Sequence, residues 1–192
     1  MAHRKILIID GHPDVDPGRF VHALASAYAR GAAAHQVQTL QIADLDFPML
    51  RNSKDWQEQA PPPAIRAVQE QVQWADHLVI LYPLWLGDMP ALLKAFLEQT
   101  LRPKFAFRYG SGMMPDKLLK GRSARLIVTM GMPGPIYELF YGAHSVKSFE
   151  RNILKFVGIA PVKRTIIGAV ESGDPHRWRW LKKVEALGAA GA

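Results

Sequence analysis

The chain has 192 residues, 48% of them hydrophobic and 21% charged, which describes a globular protein with a core of its own. It contains no cysteine, and this excludes thiol catalysis, disulfide staples and Cys-ligated zinc or iron–sulfur sites. The formal charge is +7, yet the basic residues are scattered and form no continuous run, so a nucleic-acid arm is excluded. Mild attraction for phosphates and ordinary solvated faces both account for such an excess.

Near the N-terminus, His3-Arg4-Lys5 leads into the four-residue apolar run Ile6 to Ile9. A signal peptide needs a longer apolar stretch and a small-residue cleavage site, so the segment from Arg4 to Ile9 reads as a first strand. No window reaches the ~18 consecutive apolar residues of a membrane span, and a cytoplasmic protein without membrane insertion is expected. The spacing then predicts a helix over Phe20 to Ala34 and an alternating strand over Gln36 to Gln41. Pro61-Pro62-Pro63 stiffens the entry to a helix over Ala64 to Ala75, which leads to a buried strand ending at Tyr82.

Pro90 opens the next helix, to Leu101, and the aromatic pattern Phe105 to Tyr109 follows in a loop. A fourth strand over Arg122 to Thr129, a helix over Ala143 to Val157 and a fifth strand over Val162 to Ile167 come next. The last helix starts near Asp174-Pro175 and is expected to fray over Gly188 to Ala192. Strands alternating with helices imply βαβ units and a parallel sheet. Five strands in this length predict one α/β domain over 1–192, a flavodoxin-like doubly wound five-stranded parallel sheet with helices on both faces.

In such a sheet ligands bind outside the carboxyl ends of the strands. Three connections there carry unusual chemistry. Asp10-Gly11-His12-Pro13-Asp14-Val15-Asp16-Pro17-Gly18-Arg19-Phe20 joins a strand to a helix N-terminus, a natural anion cradle to which Arg19 would add a bidentate charge. His12 could donate to a phosphate; equally, His12 and Asp16 could satisfy backbone groups of the loop itself. Neither the dinucleotide fingerprint nor the Walker loop is present.

The second connection, Pro83-Leu84-Trp85-Leu86-Gly87, is bulky and water-excluding, a floor for a flat aromatic cofactor. An isolated Trp85 would be assigned to the core; its place in a strand-to-helix loop favours binding. The third, Thr129-Met130-Gly131-Met132-Pro133-Gly134-Pro135-Ile136-Tyr137, is rich in Gly and Pro, so its backbone can approach a ligand closely. Tyr137 and His144 follow as proton donors, against the alternatives of a packing tyrosine and a surface histidine. His3, His22, His35, His77 and His176 lack metal-ligand spacing, and no metal is assigned.

At these loops the chain resembles the flavodoxin-like NAD(P)H:quinone oxidoreductases, the diaphorase group that includes ancillary quinone reductases of potassium-efflux systems. The resemblance runs from Lys5 to about Ala186. It rests on Gly11-His12-Pro13, Tyr82-Pro83-Leu84-Trp85 through Lys94, Phe105-Ala106-Phe107, Thr129-Met130-Gly131-Met132, and Tyr137 with Gly142-Ala143-His144.

The family implies a bound flavin, FAD or FMN, that takes hydride from NAD(P)H and passes two electrons to a quinone. It implies His12, Gly18, Arg19 and Phe20 around the flavin phosphate and Pro83, Leu84, Trp85, Leu86 and Gly87 along the isoalloxazine. Thr129, Met130, Gly131 and Met132 would hold its pyrimidine side, with Tyr137 and His144 stabilising developing charge. A homodimer is implied as well, and docking on a membrane transporter is a further partner the group suggests. The chain departs from the pattern in Met130 and Met132, where many members carry Thr and Gly. It departs again in the phosphate loop, which has Gly18-Arg19-Phe20-Val21 in place of a Ser/Thr-rich, Asn-containing version. A flavodoxin-type electron carrier is the alternative reading.

Overall fold

The computed structural model describes residues 3–110, 112 and 114–192; Met1, Ala2, Ser111 and Met113, within the domain expected over 1–192, lie outside the described residues. Five strands form one parallel sheet: β1 (Lys5–Asp10), β2 (Gln36–Gln41), β3 (His77–Pro83), β6 (Ser123–Thr129) and β7 (Val162–Ile167), in the order β2-β1-β3-β6-β7. A small antiparallel pair, β4 (Phe107–Arg108) and β5 (Asp116–Lys117), lies within the stretch expected to be loop. The correction has a physical cause, since two-residue strands are set by contacts rather than by local pattern.

Both faces of the sheet are covered, which is why its central strands read as unbroken apolar runs. Ile6, Ile8, Val79, Leu81 and Ile127 face α1 (Phe20–Gly31) and α8 (Asp174–Ala189). Leu7, Ile9, Leu78, Ile80, Leu126 and Val128 face the other way, in the core that also holds residues of α3 (Pro63–Trp74) and α4 (Ala91–Thr100). The short α2 (Ser53–Gln57) is capped by Asn52, whose Oδ1 accepts the Asp55 N–H at 2.9 Å. Adjacent residues of one strand thus feed opposite cores, as the two-residue period requires.

α1 and α8 cross through glycine. A Cβ on Gly188 would stand 2.2 Å from the Tyr28 carbonyl oxygen, and one on Gly31 only 1.9 Å from that of Glu185. The expected fraying is therefore corrected: α8 runs to Ala189 and Gly188 is buried against α1. The end of the chain is tied down too, with Arg4 Nη1 donating to the Gly191 carbonyl at 2.8 Å and Tyr28 Oη to that of Ala192 at 3.2 Å.

Part of the basic excess is structural. Arg122 donates to the carbonyls of Val72 and Gln73 at the end of α3, and Arg102 to those of Asp55 and Gln59. Cations there satisfy carbonyls that a helix leaves open.

The helix expected over Ala143 to Val157 is three pieces: α6 (His144–Ser148), a π-helical turn (Phe149–Leu154) and α7 (Lys155–Val157). The third connection also contains a short helix, α5 (Gly134–Leu139), where a loop was expected. Its N-cap is Pro133 and Pro135 lies in its first turn, where a missing N–H costs nothing.

Candidate functional site at the carboxyl edge of the sheet

All five strands are parallel, so Asp10, Pro83, Thr129 and Ile167 end on one edge. Backbone hydrogen bonds join the three connections there. Gly11 N donates to Leu81 O at 2.7 Å, and a Cβ on Gly11 would stand 2.8 Å from that same oxygen, so only glycine allows the approach. Leu84 N donates to Thr129 O at 2.7 Å, and Met130 N to Ile167 O at 2.9 Å.

The second connection turns back on itself. Trp85 and Asp88 exchange backbone hydrogen bonds of 2.8 and 2.9 Å, with Leu86 at φ 47° and Gly87 at φ 81° between them. Two consecutive left-handed residues make a hairpin turn of the primed kind, in which a leucine is strained. Leu86 is fully exposed at its tip.

A cavity of about 600 Å³ opens between this turn and α5. It is lined by Leu84, Leu86, Gly87, Met130, Gly131, Met132, Tyr137 and His144 of the expected site, together with Tyr141 and Ser145. Pro83 and Thr129 lie beneath it as paired strand ends, and Thr129 is buried. A second hollow, of about 470 Å³, shares Leu86 and Ser145 with the first and reaches Trp85, Met89 and Lys94. The lining is mostly apolar with a few convergent polar groups, as small-molecule sites are.

Tyr137 is buried, and its hydroxyl lies 2.6 Å from Ser145 Oγ. His144 is exposed at the start of α6, after Gly142 and Ala143 at φ 62° and 48°. The Tyr137 carbonyl accepts the Ala143 N–H at 3.1 Å, which closes the corner between them. Tyr82 lies behind the cavity, fully buried with an unpartnered hydroxyl, and burial pushes that phenol far up.

The first connection differs from the expected cradle. Alternate residues hydrogen-bond backward: His12 N to Asp10 Oδ1 (3.1 Å), Asp14 N to His12 Nδ1 (3.1 Å), Asp16 N to Asp14 Oδ1 (2.9 Å) and Gly18 N to Asp16 Oδ1 (2.9 Å). His12 and Asp16 thus do satisfy the loop's own backbone. Arg19, expected to clamp a phosphate, is ion-paired with Asp14 at 2.6 Å and Asp16 at 3.4 Å. Phe20 packs its ring on the α8 side, with the Arg177 guanidinium 5.7 Å from the ring centroid. What remains for an anion is the α1 N-terminus, which has no side-chain cap and no acidic residue in its first turn.

His12 is buried and meets Trp85 edge-on, ring centroids 5.8 Å apart, which joins the first connection to the second. His22, which metal-ligand spacing does not single out, joins this loop: its Nδ1 lies 2.6 Å from Asp10 Oδ2 and its Nε2 lies 2.8 Å from the Asp14 carbonyl. Burial works against its proton, but the Asp10 carboxylate and the Asp14 carbonyl outweigh burial and raise its pKa. The neighbouring His12 is lowered by burial and by the charge of His22. Tyr141 and Ser145 were overlooked because nothing in the local pattern separates them from surface residues.

Residues 4–188 match the family described as having a flavodoxin-like fold. The chain is 32% identical over 132 residues to an FMN-dependent NADH:quinone oxidoreductase 2 of Listeria innocua, an alignment covering 67% of this chain and 57% of that protein. It spans about half the length of the curated relatives it matches. Among solved structures it superposes on Smu.1420 from Streptococcus mutans UA159 with a TM-score of 0.79 at 26% identity, covering 96% of this chain and 98% of that one. An NAD(P)H:quinone oxidoreductase from Methanothermobacter marburgensis shares the fold at a TM-score of 0.78 and 21% identity, over the full length of both chains. With its sheet order, its covered faces and a family match over nearly its whole length, the chain belongs to the flavodoxin-like fold family.

Proposed function

We propose that this protein is a cytoplasmic, flavin-dependent NAD(P)H:quinone oxidoreductase, one flavin-binding domain over 1–192. The observation that carries the reading is the meeting of an apolar cavity with an uncapped helix N-terminus on one sheet edge, linked by the His12–Trp85 contact. Such a pair suits a flat apolar ring system with a phosphate tail. The relatives' names favour FMN over FAD.

When bound, the flavin supplies the redox chemistry, accepting hydride from NAD(P)H and passing two electrons to a quinone. The protein's task is binding, orientation and the exclusion of water. Met130, Met132 and Leu84 give the cavity a polarizable apolar wall, and the N–H groups of Phe20 and Val21, which have no backbone acceptor, would meet the phosphate. Tyr137 Oη, bonded to Ser145, is a proton donor held at a fixed place on that wall, and the exposed His144 is a second. No strong acid or base is required of the side chains.

A homodimer is part of the proposal, and the exposed apolar side chains beside the cavity support it. Leu139 and Phe140 are each more than four-fifths exposed, next to half-exposed Ile136 and the bare Leu86. Exposed groups of this kind mark interaction surfaces. The absorption spectrum of the purified protein, followed by NADPH oxidation with menadione as acceptor, tests the proposal. A colourless protein that takes up neither FMN nor FAD would end it.

A further inference from the structure

The loop from Asp10 to Arg19 has an electrostatic problem. Three carboxylates, those of Asp10, Asp14 and Asp16, surround it, and its one arginine is ion-paired with two of them. A phosphate approaching the α1 N-terminus would meet side chains that sum to −2, and a second cation would halve that repulsion. His22 is in place to be that cation. Its two ring nitrogens face a carboxylate oxygen at 2.6 Å and a backbone carbonyl at 2.8 Å. Neither partner can donate a proton to the ring, so both nitrogens must carry one.

The same two residues fix His12. Asp10 accepts its backbone N–H, and the Asp14 N–H donates to its Nδ1, which leaves the ring proton on Nε2. His12 and His22 stand with ring centroids 5.3 Å apart. We infer that His22 is an imidazolium held behind the loop, whose charge lowers the repulsion this acidic loop offers the cofactor's phosphate and whose hydrogen bonds hold His12 as an Nε2–H donor. This rests on the flavin reading above. His22 is a positioning residue; it touches Asp10 and Asp14, and the ligand meets His12 and the helix N-terminus.

The charged groups around His22 are Asp10 at the end of β1 and His12 and Asp14 in the loop, with Asp16 and Arg19 beyond them. With its pKa raised by the Asp10 carboxylate and the Asp14 carbonyl against burial, His22 keeps its proton to higher pH than a free imidazole and releases it as pH rises further. The phosphate contribution to binding should therefore be full on the acid side and fade as pH rises.

Binding of FMN and of riboflavin, which lacks the phosphate, separates the phosphate's share. For the wild type, the preference for FMN should decline as pH rises through the His22 titration. His22→Gln should reduce that preference about tenfold near pH 6.5, the size of one charge-assisted contact, and flatten its pH dependence. His22→Lys should restore most of it. Nitrogen-15 NMR of the wild-type imidazole should show both His22 nitrogens protonated at pH 6.5. A neutral His22 in that spectrum, or a His22→Gln variant that loses FMN and riboflavin equally or neither, overturns the inference. A wild type that binds neither flavin overturns the flavin reading instead, and the NMR result still decides the charge of His22.

Discussion

The imidazole of His12 stands at 84° to the indole of Trp85, edge to face, with centroids 5.8 Å apart. This one contact joins the loop after β1 to the loop after β3 through side chains, and Trp85 is half-exposed beyond it. Such pairs are worth about 0.5–1.5 kcal/mol beyond area burial. Trp85→Ala should therefore weaken flavin binding by roughly tenfold, with little change in melting temperature. Fluorescence titration with FMN measures it, and undiminished affinity would remove Trp85 from the site.

Tyr137 and Ser145 offer a sharper test of chemistry against packing. Removing the hydroxyl in Tyr137→Phe loses a hydrogen bond worth about 1 kcal/mol. Flavin affinity should change little, while reduction of bound flavin by NADPH should slow by an order of magnitude or so. Ser145→Ala, which leaves the phenol in place but frees its orientation, should slow reduction less. Stopped-flow bleaching of the flavin distinguishes the variants; equal, unaltered rates would make Tyr137 a packing residue.

Where α1 and α8 cross, there is no room for a methyl group. A Cβ on Gly188 would sit 2.2 Å from backbone oxygen, which cannot rotate away. Gly188→Ala should destabilise the protein by about 2–3 kcal/mol and lower its melting temperature by roughly 5–10 °C. Gly131 is the contrast, since a Cβ there meets nothing nearer than 3.7 Å. Gly131→Ala should leave the melting curve alone and alter only ligand binding in the cavity. Differential scanning calorimetry of both variants checks the pair.

His77 should govern part of the acid stability. Burial first, then the charges of Arg4, Arg125 and Lys163, hold its imidazole down at about 4. An unfolded chain protonates the same group near 6.5, so the unfolded state binds the extra proton between these values. Stability should fall as pH drops from about 6.5 to 4, by up to ~3 kcal/mol, and this contribution should level off below. His77→Asn, which keeps a polar group for Ser123, should flatten that limb in urea unfolding at a series of pH values.

The strands were legible because both faces of a parallel sheet are buried, which leaves runs such as Ile6 to Ile9 without polar interruption. The strand expected over Val162 to Ile167 has those bounds, and Ser123–Thr129 starts one residue later than expected. The rim was legible for the same reason: once strand ends are known, parallel topology gathers the loops. What escaped was decided by tertiary geometry. Asp10 and His22 are twelve residues apart and meet only because the loop doubles back, so no spacing rule for metal ligands could find them. The charge of Arg19 is committed to Asp14 and Asp16, a pairing that depends on how the loop folds. The acidic and His side chains at positions 10, 12, 14 and 16 did carry a visible period of two, the sign of their backward hydrogen bonds.

Arg4 and Gly191 are hydrogen-bonded to one another at the amino edge of the sheet, across the full strand length from the ligand cavity. A reporter, affinity handle or surface tether attached beside either of these residues would accordingly emerge on the side of the molecule away from the cavity. Immobilised in that way, the protein would present its open rim outward, toward an electrode or a stream of substrate.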